Sequence, residues 1–146
     1  MNTKEYNIEL KLNWRQRWLS SINELTNFEL QNSSWLNLKV RNPHWSFVEF
    51  MCSYFDDLVL ENNYKDPLER KLISNQELEI IIEWHKNLDQ YESPNKNDYD
   101  HLSILKDTKW LEIIQIGIVS KNELVKIIDK NERQFLTEKI NYFDYL

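Results

Sequence analysis

The sequence predicts an all-α fold, and three observations in its 146 residues predict it. Glycine occurs once and proline three times. An all-β sandwich or a phosphate-binding α/β enzyme needs tight turns and close backbone approaches, and so needs many more glycines. Ser46/Glu49, Ser74/Glu77 and Ser120/Glu123 each stand at the S-x-x-E spacing in which two side chains satisfy free N–H groups at a helix start. Behind the first of these, Phe47, Phe50, Met51, Tyr54, Phe55 and Leu58 recur at steps of three and four, the period of one apolar helix face. The expectation is a compact irregular helical domain of about six to eight helices over residues 1–146, long enough to bury a core without disulfides or metals. A minor N-terminal strand pair is left open.

That strand pair rests on Tyr6–Leu12, which alternates apolar and polar as a half-buried strand does, and on a second alternation over Leu36–Val40. An extended arm or a frayed helix is the alternative for the first. Asn13 with Gln16 resembles a helix start, followed by Trp14, Trp18, Ile22 and Leu25 on one face, with Arg15 and Arg17 off the stripe and solvated. Asn32-Ser33-Ser34 breaks the pattern, and Pro43 disfavours helix just before the central one. Asp66-Pro67 reads as an N-cap followed by an N1 proline. The Ser74 box opens the clearest helix, with Leu78, Ile81, Ile82, Trp84, Leu88 and Tyr91 on its apolar side. Glu92–Asn97 is a loop, and Asp98–Leu102 opens a short helix. Thr108 caps a helix that Gly117 stops in the left-handed conformation. The Ser120 box and then Asn131 start the last two, with Phe135, Leu136, Ile140 and Phe143 facing inward.

Charge is distributed unevenly. Residues 1–45 carry +2, residues 46–107 carry −8 and residues 108–146 carry 0, within a total of −6. A nucleic-acid binder shows a basic stripe, so direct contact with DNA or RNA is not expected. The natural complement of the acidic middle is a basic protein. The single cysteine, Cys52, excludes an internal disulfide and reads as a small buried hydrophobe. No basic-then-apolar leader is present, and no apolar run approaches the ~18 residues of a membrane span, so a cytoplasmic, membrane-free protein is expected.

Catalytic patterns are not met. His44, His85 and His101 form no tight ligand spacing, one cysteine makes no zinc ribbon, and one glycine makes no phosphate loop. His85 reads as a hydrogen-bonded core or boundary histidine. Asp56 and Asp57 are adjacent, so on a helix they point about 100° apart, a poor geometry for sharing a proton. They read as a solvated helix end or as an electronegative contact surface. Asp98 and Asp100 on either side of Tyr99 admit the same two readings. Tyr54, Tyr64, Tyr91 and Tyr99 punctuate this acidic middle and suggest aromatic anchors within a steering field. The candidate partner-binding set is Asp56, Asp57, Glu61, Tyr64, Tyr91, Asp98, Tyr99 and Asp100, with no catalytic residue, cofactor or metal.

Ser34-Trp35-Leu36-Asn37-Leu38, then Pro43-His44-Trp45-Ser46-Phe47-Val48-Glu49, lie in a small, acidic, Trp-rich, glycine-poor chain rich in Asn, Lys and Ile. In this the chain resembles the immunity proteins of bacterial contact-dependent growth inhibition and related polymorphic-toxin systems. The resemblance implies a cytoplasmic inhibitor, not an enzyme, that binds one cognate toxin, often a nuclease, and occludes its active site or substrate surface. A helical regulatory or scaffold module without a toxin partner is the alternative.

Overall fold

A computed structural model describes residues 3–37, 44–60 and 62–140, and every regular element among them is helical. Eight α-helices follow in order: α1 (Thr3–Leu25), α2 (Phe28–Trp35), α3 (Phe47–Phe55), α4 (Lys65–Glu69), α5 (Asn75–Asp89), α6 (His101–Lys106), α7 (Thr108–Ile127) and α8 (Arg133–Thr137). Short 3-10 turns at Pro94–Lys96 and Lys130–Glu132 precede α6 and α8. Helix α5 packs along α7, while α1 reaches α3, α7 and α8.

The proposed first strand is corrected: Tyr6–Leu12 lies inside α1. Alternation alone does not make a strand. Among the described residues there is no neighbouring strand to take its N–H and C=O groups, and the helix satisfies them locally. The start at Asn13 is likewise internal to α1. A stripe at helical spacing, Lys4, Ile8, Lys11, Arg15, Trp18 and Ile22, runs the length of this helix, and its last three members are buried. In the second alternation, Leu36 is the C-cap of α2 and residues 38–40 lie outside the described set, as does Pro43. Asn32–Ser34 does not break the helix: the buried Ser34 hydroxyl donates to the Leu30 carbonyl at 2.7 Å, so α2 absorbs it.

Helix α3 starts as expected, with Ser46 Oγ accepting from the Glu49 N–H at 3.1 Å. Phe47, Phe50, Tyr54 and Leu58 are buried, and Met51 and Phe55 are half-buried. The Ser74 box is complete: Ser74 Oγ accepts from the Glu77 N–H, and Glu77 Oε1 accepts from the Ser74 N–H. Helix α4 begins before Asp66, so Pro67 sits in its first turn, where a missing N–H leaves no intrahelical bond unmade.

Gly117 and Ser120 are the largest corrections. Neither ends nor starts a helix; both lie within the twenty-residue α7. Its N-cap is Asp107, one residue before the expected Thr108. A Cβ built on Gly117 would stand 2.5 Å from Thr26 Cγ2 and 2.6 Å from Trp84 Nε1. The glycine therefore marks where α7 crosses Trp84 of α5 and the residue just after α1. Asn131 falls in the 3-10 turn, and α8 starts two residues later. Leu136 is fully buried, Phe135 and Ile140 are half-buried, and Phe143 lies outside the described residues.

The core is aromatic. Trp18, Trp84 and Trp110 are fully buried, Trp35 and Trp45 nearly so, and all join one cluster of buried side chains. Trp35 packs within 6.2 Å, centroid to centroid, of Phe47, Phe50, His101 and Trp110, tying α2, α3, α6 and α7 together. The Trp110 indole N–H donates to Gln31 Oε1 at 3.0 Å, so its burial leaves no orphan donor.

The scarcity of glycine has a local consequence. Helices α3 and α4 both end with the paired 6→1 and 5→2 backbone bonds whose left-handed residue is usually glycine. At α3 these are Leu60 N–H to Phe55 O and Val59 N–H to Asp56 O; at α4, Leu72 N–H to Pro67 O and Lys71 N–H to Leu68 O. Val59 (φ 57°) and Lys71 (φ 58°) occupy the glycine positions. Valine is branched at Cβ and poorly suited to this region.

Two substitutions test these junctions. Gly117→Ala is expected to lower stability by about 1–3 kcal/mol, because overpacking outweighs the propensity gained in a helix interior. Equal or higher stability in denaturant unfolding contradicts the close crossing. Val59→Gly is expected to raise stability by about 1 kcal/mol as left-handed strain is relieved. A lower unfolding midpoint for that variant means Val59 is not held at positive φ.

Candidate functional site

The acidic residues singled out in the sequence fall at two ends of α3. Asp56 and Asp57 are exposed where α3 winds into its strained terminus, anchored by the buried Leu58 and Leu60. Glu61 lies outside the described residues. Asp98, Tyr99 and Asp100 form the approach to α6. The Phe47 N–H at the start of α3 donates to His101 Nε2 at 3.2 Å, which sets this approach beside the N-terminal end of α3. The nine helical steps from Phe47 to Asp56 rise about 13–14 Å, so the structure does not gather the two clusters into one patch.

Tyr64 and Tyr91 do not belong to any surface and are corrected as contact residues. Tyr64 is 1% exposed. Tyr91 donates its hydroxyl to Asp107 Oδ2 at 2.9 Å, and its ring packs on Phe47 and Trp110. Phenolic side chains in an acidic segment look the same in sequence whether they face a partner or the core. What separates them is whether the hydroxyl finds an internal acceptor.

Tyr99 is the opposite case, 77% exposed. Its loop is held by its own short side chains. Ser93 Oγ donates to Asp98 Oδ1 at 2.6 Å, and the Tyr99 N–H donates to Asn97 Oδ1 at 3.1 Å. Asp100 is the N-cap of α6, accepting from the Ser103 N–H and hydroxyl, and these bonds hold its carboxyl below the usual range. Asn95 and Lys96 complete the turn at positive φ. The result is one ring standing in solvent between two oriented carboxylates, with Leu102 half-exposed on the next turn.

Cys52 is half-buried rather than buried. Burial and the neighbouring Asp56 carboxylate push its thiol up, away from the reactive thiolate.

Two buried networks were not anticipated from the sequence. Arg15, expected in solvent, is 8% exposed and uses all five of its N–H donors. Nε and Nη2 reach Glu132 at 2.8 and 3.1 Å, Nη1 and Nη2 reach Glu77 at 3.0 and 2.7 Å, and Nη1 also reaches the Leu72 carbonyl at 2.9 Å. Burial opposes the Arg15 charge, and the bonds to Glu77 and Glu132 outweigh it, so the guanidinium is held above its ordinary value. Burial likewise opposes Glu77 ionisation, and the Arg15 bonds outweigh it, leaving Glu77 below its ordinary value. A signal for Arg15 was present: it stands three and seven residues before Trp18 and Ile22, on their stripe.

The second network is a chain of buried hydrogen bonds. The Trp18 indole, which can only donate, gives its N–H to Tyr64 Oη at 2.9 Å. Tyr64 Oη shares a hydrogen bond with Tyr54 Oη, and Tyr54 Oη shares one with His85 Nδ1 at 2.8 Å. The other ring nitrogen, His85 Nε2, is buried without a hydrogen-bond partner among the described residues. The histidine is fully buried and neutral, as a core residue.

A groove runs between the N-terminal half of α1 and the Arg70–Ile73 segment. Its inner part, about 560 Å³, is lined by Ile8, Leu12, Arg15 and Glu77. Its outer part, about 730 Å³, is lined by Lys4, Ile8, Leu10, Lys11, Arg70 and Lys71 among others. Among the described residues, no cluster of three or more His, Cys, Asp or Glu is placed to hold a metal ion, and no helix is long and apolar enough to cross a membrane. Comparison of the chain with protein-family models, with curated proteins and with solved structures finds no match in any of the three.

Burial pushes the His85 imidazolium down from 6.5 to about 4. Between those values the unfolded chain takes up a proton that the folded chain refuses. The His85 contribution to stability is therefore whole above pH 6.5 and is lost as pH falls toward 4, by up to about 3 kcal/mol. In paired unfolding experiments, the stability gap between the native chain and a His85→Gln variant is expected to narrow over that window. A gap that stays constant from about pH 7 to about 4.5 contradicts a neutral, buried imidazole.

Proposed function

We propose that the chain is a protein-binding inhibitor of the immunity type, acting in the cytoplasm on one cognate toxin domain with a basic, nuclease-like surface. The observation that carries this reading is Tyr99, 77% exposed between Asp98 and Asp100 in a loop braced by side-chain hydrogen bonds. An aromatic ring presented from a braced backbone costs less loop ordering on docking, so more of its burial appears as affinity. The flanking carboxylates steer a positively charged partner into place. A nuclease must attract a polyanion, so the surface it uses for substrate is the surface such an edge complements. Binding there occludes the toxin's substrate site and requires no chemistry from the inhibitor. The sequence resemblance to immunity proteins and the −8 charge of residues 46–107 support the same reading.

The test is association and dissociation kinetics against the toxin domain encoded beside this chain. Tyr99→Ala is expected to speed dissociation by a hot-spot increment of ~2 kcal/mol, roughly thirtyfold. Asp98→Asn with Asp100→Asn is expected to slow association and flatten its salt dependence, while Asn at position 100 keeps the helix cap. Asp56→Asn with Asp57→Asn, at the other end of α3, reports whether the interface extends along that helix. Rates and salt slope unchanged in all three variants sink the proposal.

A further inference from the structure

The stripe of α1 that is core from Arg15 to Ile22 continues toward the N-terminus as Lys11, Ile8 and Lys4, all exposed. Across the groove stand Arg70 and Lys71, also exposed. Four cations thus line the outer groove, of which Arg70 is paired with Asp66 at 3.5 Å, and the carboxylates of Glu77, Asp129 and Glu132 lie in the inner part rather than the outer. Lys4 lies in the first turn of its helix, so its charge adds to the positive end of the helix dipole rather than offsetting the negative end. Lys71 is held there by a left-handed backbone that lysine does not favour (φ 58°). Ile8 and Leu10 remain 51% and 39% exposed on the α1 wall, above the buried Leu72. Deeper in, Arg15 is fully engaged by Glu77 and Glu132, which closes the inner end electrostatically.

We infer that the groove between the first half of α1 and Arg70–Ile73 docks an acidic amphipathic segment of a partner protein, its carboxylates on Lys4, Lys11 and Lys71 and its apolar side chains on Ile8 and Leu10. Charge complementarity selects the occupant. Lysines in a row set a negative ligand, and the aliphatic wall asks for apolar side chains between its charges. A nucleic-acid strand is disfavoured because the lining offers no aromatic platform for bases, and the net −6 of the chain repels a long polyanion. This surface is independent of the acidic loop at Tyr99 and answers to the opposite charge.

The experiment titrates isotope-labelled full-length chain, followed by amide NMR, with three probes. These are an amphipathic peptide with Glu on one face and Leu on the other, the same peptide with Lys for Glu, and an oligothymidylate strand. The Glu/Leu peptide is expected to shift the amides of Ile8, Lys11 and Lys71 and to weaken with salt. Lys11→Glu with Lys71→Glu, both at exposed positions, is expected to reduce its affinity about tenfold or more. Ile8→Ser is expected to reduce affinity while preserving the salt slope. Asp98→Asn with Asp100→Asn is expected to leave it unchanged, which separates this site from the acidic loop. The inference is overturned if no probe binds, if only the oligothymidylate or the Lys peptide binds, or if the charge-reversed variant binds the Glu/Leu peptide as tightly as the native chain.

Discussion

The Arg15 guanidinium is the constraint on which the arrangement of helices depends. One side chain on α1 holds the first turn of α5 through Glu77, the turn before α8 through Glu132, and the connection between α4 and α5 through the Leu72 carbonyl. These points are 57 to 117 residues away along the chain. A buried charge is costly unless every donor is matched, and here every donor is matched. The arrangement therefore penalises alternatives more than it adds stability: any packing that withdraws one carboxylate leaves a charge in the core. Glu77 serves two structures at once, since the oxygen that closes its helix cap also accepts from Arg15.

Around that pin, several large side chains enter the core with their polar atoms paired, although the indole N–H groups of Trp35 and Trp84 are buried without a hydrogen-bond partner among the described residues. Trp18, Tyr64, Tyr54 and His85 enter the core joined by one chain of hydrogen bonds, and Trp110 enters with Gln31. Tyr91 enters by donating to Asp107. Tyr99 keeps 77% of its surface in solvent, between Asp98 and Asp100. The described surface carries charged features of both signs, an acidic loop by α6 and a basic groove along α1.

Much of the local structure was legible in the sequence. The apolar spacing of α3, the Ser46 cap, the full Ser74 box and the apolar face of α5 are decided by neighbours within one or two turns, and short-range rules read them correctly. The exposed positions of Asp56, Asp57 and Tyr99 were also accessible, since a helix exit and a loop with a turn-forming proline favour solvent. The readings that failed share one cause: they assigned a local meaning to residues whose role is tertiary. Gly117 is a contact between helices and not a stop; Ser120 is an interior residue of α7 and not a cap. Arg15 is a buried hub and not a solvated charge, and Tyr6–Leu12 is helix despite its alternation.

By itself, the sequence determined the helical class, the starts of α3, α4, α5, α7 and α8 to within two residues, and the concentration of negative charge in the middle of the chain. These follow from backbone sterics, capping and charge, which act over a few residues. Only the tertiary structure decided which tyrosines face outward, which arginine is buried, why the lone glycine stands at position 117, and that the acidic residues divide between the two ends of α3. Each of those depends on what a helix distant in sequence brings within a few ångströms, and no pattern of spacing along one strand of text contains that distance.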